Sequence, residues 1–230
     1  GGPNNSGYVK GLNMRSFLTF CKENDCIPDV ITWHELHAVL QKIEGHFADY
    51  RQVCADLGIE ERPVVVNEYA DGFESGVPGR LVHYITRYVF GKGYVCLPIW
   101  HQPNNLDDLA AGANEPGAAW WLYRWYADMT GNTRRISEHN TTQATNNPDP
   151  MVNDESNASY GLYGVSSLDE EKKMSTTLFG GEDGRQSVIL KDLDDTDAFK
   201  NAEKVHVKID AIYYKGFSGV SEPETVCEGT

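Results

Sequence analysis

Short apolar segments alternate with longer amphipathic segments along the first 131 residues of the chain. Three short segments have the length and β-branched content of buried strands, and four longer segments repeat apolar residues with a helical period. This alternation predicts a parallel sheet covered by helices. The predicted strands are Val30–Leu36, Pro63–Ala70 and Gly93–Trp100, and the predicted helices are Val9–Asn24, Gly45–Leu57, Gly79–Phe90 and Glu115–Thr130. For the last helix, Asn114 is a suitable N-cap and Pro116 suits the first turn.

The remainder of the chain has a different pattern. Residues 132–157 are rich in Asn, Thr, Asp and Pro, which predicts a surface connection. Beyond it, short β-type segments separated by Gly and acidic turns predict a small antiparallel β-sandwich over residues 158–230. Its predicted strands are Tyr160–Val165, Lys173–Leu178, Ser187–Leu190 and Val205–Tyr213.

The parallel part is too small to be a closed barrel. Three strands, a strand stub at Gly1–Pro3 and four helices amount to half of eight βα units. The expected fold is therefore α/β plus β: the C-terminal half of a (β/α)8 TIM barrel over residues 1–131, followed by the sandwich. The chain begins without Met, so we expect a processed or partial product whose partner is an N-terminal half-barrel, on the same precursor or on another chain.

Charge narrows the range of partners. The 230 residues include 20 Lys+Arg and 34 Asp+Glu, a formal net charge of −14. Such a chain repels both a phosphate backbone and an anionic lipid surface, so we expect neither nucleic acid nor membrane as a partner. No apolar run approaches the roughly 20 residues that a membrane helix needs.

Polar and aromatic residues gather at the C-terminal ends of the three predicted strands, the ends that face the active site in a barrel. Glu68 is the sharpest case, because it follows three valines closely and a carboxylate in apolar surroundings costs free energy without a partner or function. A structural carboxylate is the alternative interpretation of Glu68, as core packing is for the tryptophan and histidine. Aromatic faces beside carboxylates suit a carbohydrate ligand. The candidates are Glu68 as a catalytic residue and His34, Glu35, Asn67, Tyr69, Trp100 and His101 as substrate-binding residues.

These segments resemble the second half of a clan A glycoside hydrolase barrel, most closely family 39. The resemblance rests, in order, on Pro28–Leu36, Val66–Ala70, Ile99–Trp100 and Gly117–Gly131, while Gly1–Pro3 is similar to the end of the fifth strand. It implies hydrolysis of glycosidic bonds in an oligo- or polysaccharide by a retaining mechanism. It also implies that Glu68 is the nucleophile, that His34 lines the sugar subsite and that Trp100 is the stacking platform.

The second carboxyl group is missing from this pattern. Retaining hydrolysis needs two carboxyl groups about 5–5.5 Å apart, and the clan places its acid/base on strand four, which the chain lacks. Glu35 and the Asn114-Glu115-Pro116 tripeptide are weaker substitutes. If Asn67-Glu68 were itself the strand-four pair, four further barrel strands would have to follow Trp100, where the pattern becomes sandwich-like. We therefore expect the acid/base from the missing N-terminal half. The alternative function is a non-catalytic extracellular carbohydrate-binding or structural protein on a decayed barrel.

Modification signals favour a secreted, extracellular protein. Asn4, Asn140 and Asn157 begin N-glycosylation acceptor sequences. Cys21 and Cys26 are close enough in sequence to form a disulfide in an oxidising compartment.

Neither a metal nor a cofactor is expected. The seven histidines have no paired zinc spacing, and the acidic run over residues 192–197 lacks the frame of a calcium loop. That run is typical of a solvated acidic turn.

Overall fold

The computed structural model describes residues 12–36, 40–70, 74–95, 109–112, 115–136, 162–181, 187–216 and 219–230. The described residues form two compact units. The first unit contains residues up to 75 together with 84–95, and the second contains 76–83, 109–136 and the described residues from 162 onward.

The first unit consists of parallel strands and helices in alternation. Its three strands pair in the order β1-β2-β3, and both pairings are parallel, as predicted. The half-barrel built on this sheet stays a prediction. The elements are α1 (Leu12–Glu23), β1 (Ile31–Leu36), α2 (Leu40–Leu57), β2 (Val64–Ala70), α3 (Pro78–Gly91, whose first turns belong to the second unit) and β3 (Gly93–Val95).

One face of the sheet is buried against helices through aromatic side chains. Residues alternate sides along a strand, so Ile31 and Trp33 of β1 point to the same face, and each is 1% exposed. The ring of Trp33 lies 5.1 Å from that of Phe47 in α2. On β2, Tyr69 packs 5.4 Å from Tyr84 of α3. Burying rings of this size contributes a large part of the stability of the unit.

Helix α2 is longer than predicted and ends with a glycine. The predicted start, Gly45, lies inside the helix, where glycine is tolerated at a modest cost. At the other end Gly58 has φ +60°, and the next amide, of Ile59, donates to the carbonyl of Cys54 at 3.0 Å. This left-handed glycine satisfies carbonyls at the end of the helix.

No helix in the described part of the chain is long and apolar enough to cross a membrane.

The described residues of the second unit form antiparallel strands, one complete helix and the first turns of α3. Its largest sheet has the order β6-β7-β8, and two further pairs of strands are β4-β5 and β9-β10. The β-sandwich stays a prediction. The elements are β4 (Ala110–Gly112), β5 (Glu115–Pro116), α4 (Ala118–Asp128), β6 (Asn132–Arg135), β7 (Tyr163–Asp169), β8 (Met174–Gly180), a 3-10 turn (Leu193–Asp195), β9 (Val207–Ala211) and β10 (Glu224–Gly229).

Two segments of this unit have a different secondary structure from the predicted one. Asn132–Arg135 was expected in the surface connection, but it forms β6 and pairs with β7. Its polar residues resemble a loop because β6 is an edge strand with largely exposed side chains. Ser187–Leu190 was expected to be a strand, yet it is not paired in the structure, and Ile189 is 65% exposed. Apolar residues alone do not make a strand without a partner that completes the hydrogen bonds.

The start of α4 also differs. Glu115 and Pro116 belong to β5, and Gly117 is the N-cap instead of Asn114, which lies outside the described residues. The amide of Gly117 donates to the carbonyl of Leu109 at 2.7 Å, and the carbonyl of Pro116 accepts from the amide of Ser221 at 3.0 Å. These bonds hold residues 115–117 extended, so the helix begins only at Ala118.

Candidate active site

A β-bulge lies at the centre of the candidate site. In the parallel pairing of β1 with β2, Trp33 lies opposite Val66, and the next residue of β1, His34, lies opposite Glu68. Asn67 is therefore an extra residue in β2. A bulge of this kind inserts one residue into one strand and shifts the side-chain alternation beyond it.

The bulge determines which face of the sheet carries Glu68. Val64 and Val66 are buried on the helix-facing side, and strict alternation would bury Glu68 beside them. Because Asn67 is inserted, Tyr69 takes the buried position and Glu68 shares the opposite face with His34. The carboxylate thereby avoids the cost of burial among apolar side chains.

Glu68 and His34 form a close, partly exposed pair. The Nδ1 atom of His34 lies 3.3 Å from Oε2 of Glu68, and the side chains are 19% and 25% exposed respectively. This contact is within ion-pair distance but outside hydrogen-bond geometry, so Nδ1 has no hydrogen-bond partner among the described residues. A carboxylate with an imidazole beside it, at the C-terminal ends of adjacent parallel strands, is suited to attack or bind a polar ligand.

Asn67 adds an unsatisfied acceptor beside this pair. Its Oδ1 atom is buried and has no hydrogen-bond partner among the described residues. Buried polar atoms are nearly always paired in proteins, so an atom without a partner next to Glu68 is unusual. Asn67 thus keeps the substrate-binding role predicted for it as a hypothesis with a structural basis.

Two predicted substrate-binding residues lie on the other face of the sheet. Glu35 is 2% exposed, and its carboxylate accepts hydrogen bonds from Trp33 Nε1 at 2.7 Å and from His46 Nδ1 at 2.9 Å. Tyr69 is 1% exposed and packs against tyrosines of α3. The sheet therefore separates both side chains from Glu68 and His34, and contact of Glu35 and Tyr69 with substrate stays a prediction. For the same reason, Glu35 does not lie beside Glu68 as an acid/base would.

The other predicted residues lie either outside the described residues or in the second unit. Trp100 and His101 lie outside the described residues, as do the glycosylation candidates Asn4, Asn140 and Asn157. Glu115, considered as an acid/base, is exposed in β5 of the second unit.

Two polar residues of the first unit, one partly buried and one buried, were not anticipated from the sequence. His46 reaches the buried Glu35 from α2, and Glu74 accepts a hydrogen bond from the hydroxyl of Tyr84 at 2.7 Å. Glu74 is 9% exposed. A signal for His46 was its helical spacing, three residues after Ile43 and four before Tyr50, which puts it on the apolar face of α2. Nothing in the sequence around Glu74 distinguishes it from an exposed loop carboxylate.

The predicted disulfide is not formed in the structure. Cys21 and Cys26 are both free thiols, the first buried and the second exposed. The amide of Cys26 donates to the carbonyl of Cys21 at 2.8 Å, so the two residues are close. Burial, and then the neighbouring Cys26 thiol, raise the pKa of Cys21. The pair is therefore placed for a disulfide but exists as thiols.

Within the described ranges, no three His, Cys, Asp or Glu side chains are grouped so that they could hold a metal ion. In the acidic run of the second unit, Asp197 pairs with Lys200 at 2.6 Å, as in a solvated turn.

Comparison with known proteins identifies relatives of one enzyme class. No family model matches the chain. The chain is 28% identical over 228 residues to a 3-O-alpha-D-galactosyl-alpha-L-arabinofuranosidase of Bifidobacterium longum subsp. longum, a match that covers 96% of the chain and 19% of that protein. It is 29% identical over 182 residues to a 3-O-beta-L-arabinopyranosyl-alpha-L-arabinofuranosidase of Bifidobacterium pseudocatenulatum, covering 78% of the chain and 17% of that protein.

One solved structure has a similar fold. It is described as the structure of N2152 from Neocallimastix frontalis, and the match has a TM-score of 0.77 and 29% sequence identity. The match covers 99% of this chain and 53% of that chain. The chain thus spans less than a fifth of the length of the curated relatives and about half of this structure. Both curated relatives are named as arabinofuranosidases, which are glycoside hydrolases.

Proposed function

We propose that this chain contributes the nucleophile half of the active site of a retaining glycoside hydrolase. The observation that carries the proposal is the pair formed by Glu68 and His34, 3.3 Å apart on one face of the parallel sheet. The proposal extends to a clan A, family 39-like half-barrel that is completed by an N-terminal half, in a secreted protein. The similarity to two arabinofuranosidases supports the enzyme class.

In the proposed mechanism, Glu68 attacks the anomeric carbon while an acid protonates the leaving oxygen. The C–O bond to the leaving group breaks, and a covalent glycosyl ester forms on Glu68. Water, deprotonated by the same acid/base, then releases the sugar and restores the Glu68 carboxylate. The acid/base comes from the missing half-barrel, since Glu35 is buried on the other face of the sheet. His34 and Asn67 bind sugar hydroxyls, and Trp100 stacks on the ring.

The proposed substrates are α-L-arabinofuranosides that carry a further sugar at O3. The names of both curated relatives share this unit and differ in the attached sugar, galactose in one and arabinopyranose in the other. The side-chain acceptor of Asn67 and the imidazole of His34 suit hydroxyl groups of such a glycoside.

The first test is Glu68→Gln in the complete protein, assayed on aryl α-L-arabinofuranoside and on 3-O-substituted arabinofuranosides. We expect kcat/KM to fall at least about a thousandfold, because the glutamine cannot form the ester. Glu60→Gln is the matched control, since Glu60 is 83% exposed and forms an ion pair with Arg62 at the surface. A Glu68→Gln enzyme within about tenfold of wild type would show that another residue is the nucleophile.

The second test separates catalysis from binding. A fluorinated arabinofuranoside inactivator is incubated with the complete protein, and the labelled peptide is identified by mass spectrometry. Glu68 should carry the ester, and Glu68→Gln should not be labelled. Unmodified protein that still binds arabino-oligosaccharide by calorimetry would favour the non-catalytic carbohydrate-binding function instead.

A further inference from the structure

A buried carboxylate lies directly behind the candidate site. Glu35 is the neighbour of His34 in β1, but its side chain points to the opposite, helix-facing side and is 2% exposed. Burying a carboxylate is costly unless hydrogen bonds compensate it. Two side chains compensate the burial of the Glu35 carboxylate with hydrogen bonds. Trp33 Nε1 donates to Oε1 at 2.7 Å, and His46 Nδ1 lies 2.9 Å from Oε1 and 3.0 Å from Oε2.

These contacts hold the end of β1 to the middle of α2. His46 binds Glu35, and the next helix residue, Phe47, packs on Trp33 with ring centroids 5.1 Å apart. Two residues of the strand are therefore fixed to two consecutive residues of the helix.

His34 lies between the two anchored residues. With Trp33 and Glu35 held on the helix side, the alternation of the strand forces the His34 side chain to the other face, opposite Glu68. The imidazole of His34 has no hydrogen bond of its own at Nδ1 among the described residues. Its position near Glu68 thus depends on the backbone that the neighbouring residues fix.

We propose that Glu35 and His46 are positioning residues, which act on the reaction through His34 by fixing the end of β1. This inference rests on the proposed function of Glu68 and His34. It assigns Glu35 a role different from substrate contact or proton transfer, and it gives His46, which the sequence did not single out, a part in the site. Positioning of this kind matters because a displacement of about 1 Å can reduce a rate a hundredfold.

The test is a double-mutant cycle in the complete enzyme between His46→Leu and His34→Ala, with kcat and KM measured separately. We expect His46→Leu alone to lower kcat about tenfold, with KM changed less than about threefold. In the His34→Ala background the same substitution should lower kcat less than about twofold, because the group it positions is gone.

Two further variants make the test decisive. His46→Gln retains an N–H donor for Glu35 and should recover at least half of the wild-type kcat, which also serves if His46→Leu does not fold. Glu44→Gln is the matched control. Glu44 also lies on α2, and its Oε1 atom forms an ion pair with Nη1 of Arg87 at 2.9 Å. It should leave kcat unchanged.

The outcomes separate this inference from the proposed function. If Glu68→Gln abolishes turnover but the effects of His46→Leu and His34→Ala multiply, the positioning role is overturned while the nucleophile stands. Failure of His46→Gln to recover kcat also overturns it. If Glu68→Gln remains active, the proposed function itself fails, and the positioning role fails with it.

Discussion

The ring of Phe47 occupies the space that a side chain at Gly93 would need. A β-carbon at Gly93 would stand 2.5 Å from Cζ of Phe47, and one at Gly91 would stand 2.6 Å from Cδ2 of the same ring. Phe47 is 1% exposed and packs on Trp33, so the ring has little freedom to move away. Glycine at both positions leaves room for the Phe47 ring of α2 where α3 ends and β3 begins.

Gly93→Ala should therefore destabilise the protein. Overpacking against a fixed ring typically costs about 1–3 kcal/mol of unfolding free energy, measurable by urea unfolding of the complete protein. Gly45→Ala is the control, because no atom lies within 4 Å of the added carbon and Gly45 is inside α2. We expect that substitution to stabilise by about 0.4–1 kcal/mol. Equal effects of the two alanines would refute the role of the Phe47 ring.

Tyr84→Phe should destabilise the first unit through Glu74. The tyrosine hydroxyl donates to the nearly buried Glu74 carboxylate at 2.7 Å, and removing one donor from a buried acceptor costs about 1–3 kcal/mol. Tyr213→Phe, at a side chain 53% exposed, should change the unfolding free energy by less than about 0.5 kcal/mol. An unchanged free energy of unfolding for Tyr84→Phe would mean that water replaces the hydroxyl as a donor to Glu74 at no cost.

Acid should weaken the second unit through Asp169. The side chain of Thr130, then the amide of Lys172, donate to this carboxylate at 2.6 and 2.9 Å and lower the pKa of Asp169 below its usual value. A depressed folded pKa contributes stability that is present above the unfolded value of about 3.9 and lost as pH falls through the folded pKa. Asp169→Asn should thus lower Tm at about pH 7.

The difference between wild type and Asp169→Asn should shrink as the pH falls below about 3.9 and through the lowered folded pKa of Asp169, since both side chains become uncharged. Calorimetry at several pH values measures it. The control is Asp194→Asn, in the 3-10 turn of the same unit, where the side chain is exposed. A Tm difference that stays constant with pH would show that Asp169 does not act through its charge.

Thiol labelling should distinguish the two cysteines of α1 and its C-terminal loop. Cys26 is exposed, whereas Cys21 is 3% exposed and its pKa is raised by burial. Because the thiolate is the reactive form, iodoacetamide at neutral pH should modify Cys26 and leave Cys21 unmodified in the folded protein. Mild oxidation should join the two with loss of two hydrogens. Labelling of both residues at similar rates would contradict the burial of Cys21.

The fold of the first unit follows from hydrophobic pattern and strand length, but its site does not follow completely. Glu68 and His34 were selected as candidates because each lies near the end of a predicted strand, and the structure brings the two side chains together. Tyr69 was misplaced because the inserted residue, Asn67, reverses the alternation, and a bulge has no signal in a single sequence. Glu35 was misplaced for a different reason, since the strand period of two already separates it from His34.

In the second unit, the presence of a neighbouring strand determines which segments form strands, and composition does not predict it. The polar segment Asn132–Arg135 becomes a strand because β7 lies beside it, whereas the apolar segment Ser187–Leu190 remains unpaired. Strand formation depends on a neighbour that is distant in sequence, and the pattern of one segment does not contain that information.

The bulge at Asn67 also has a consequence for how the chain folds. On either side of it, Val66 and Tyr69 are both buried against helices, so the irregularity is enclosed between two anchored halves of one strand. A slip of β2 by one residue against β1 would expose one half and bury the Glu68 carboxylate. Misaligned pairings of these strands are thereby penalised from both ends, and the correct register is selected during folding.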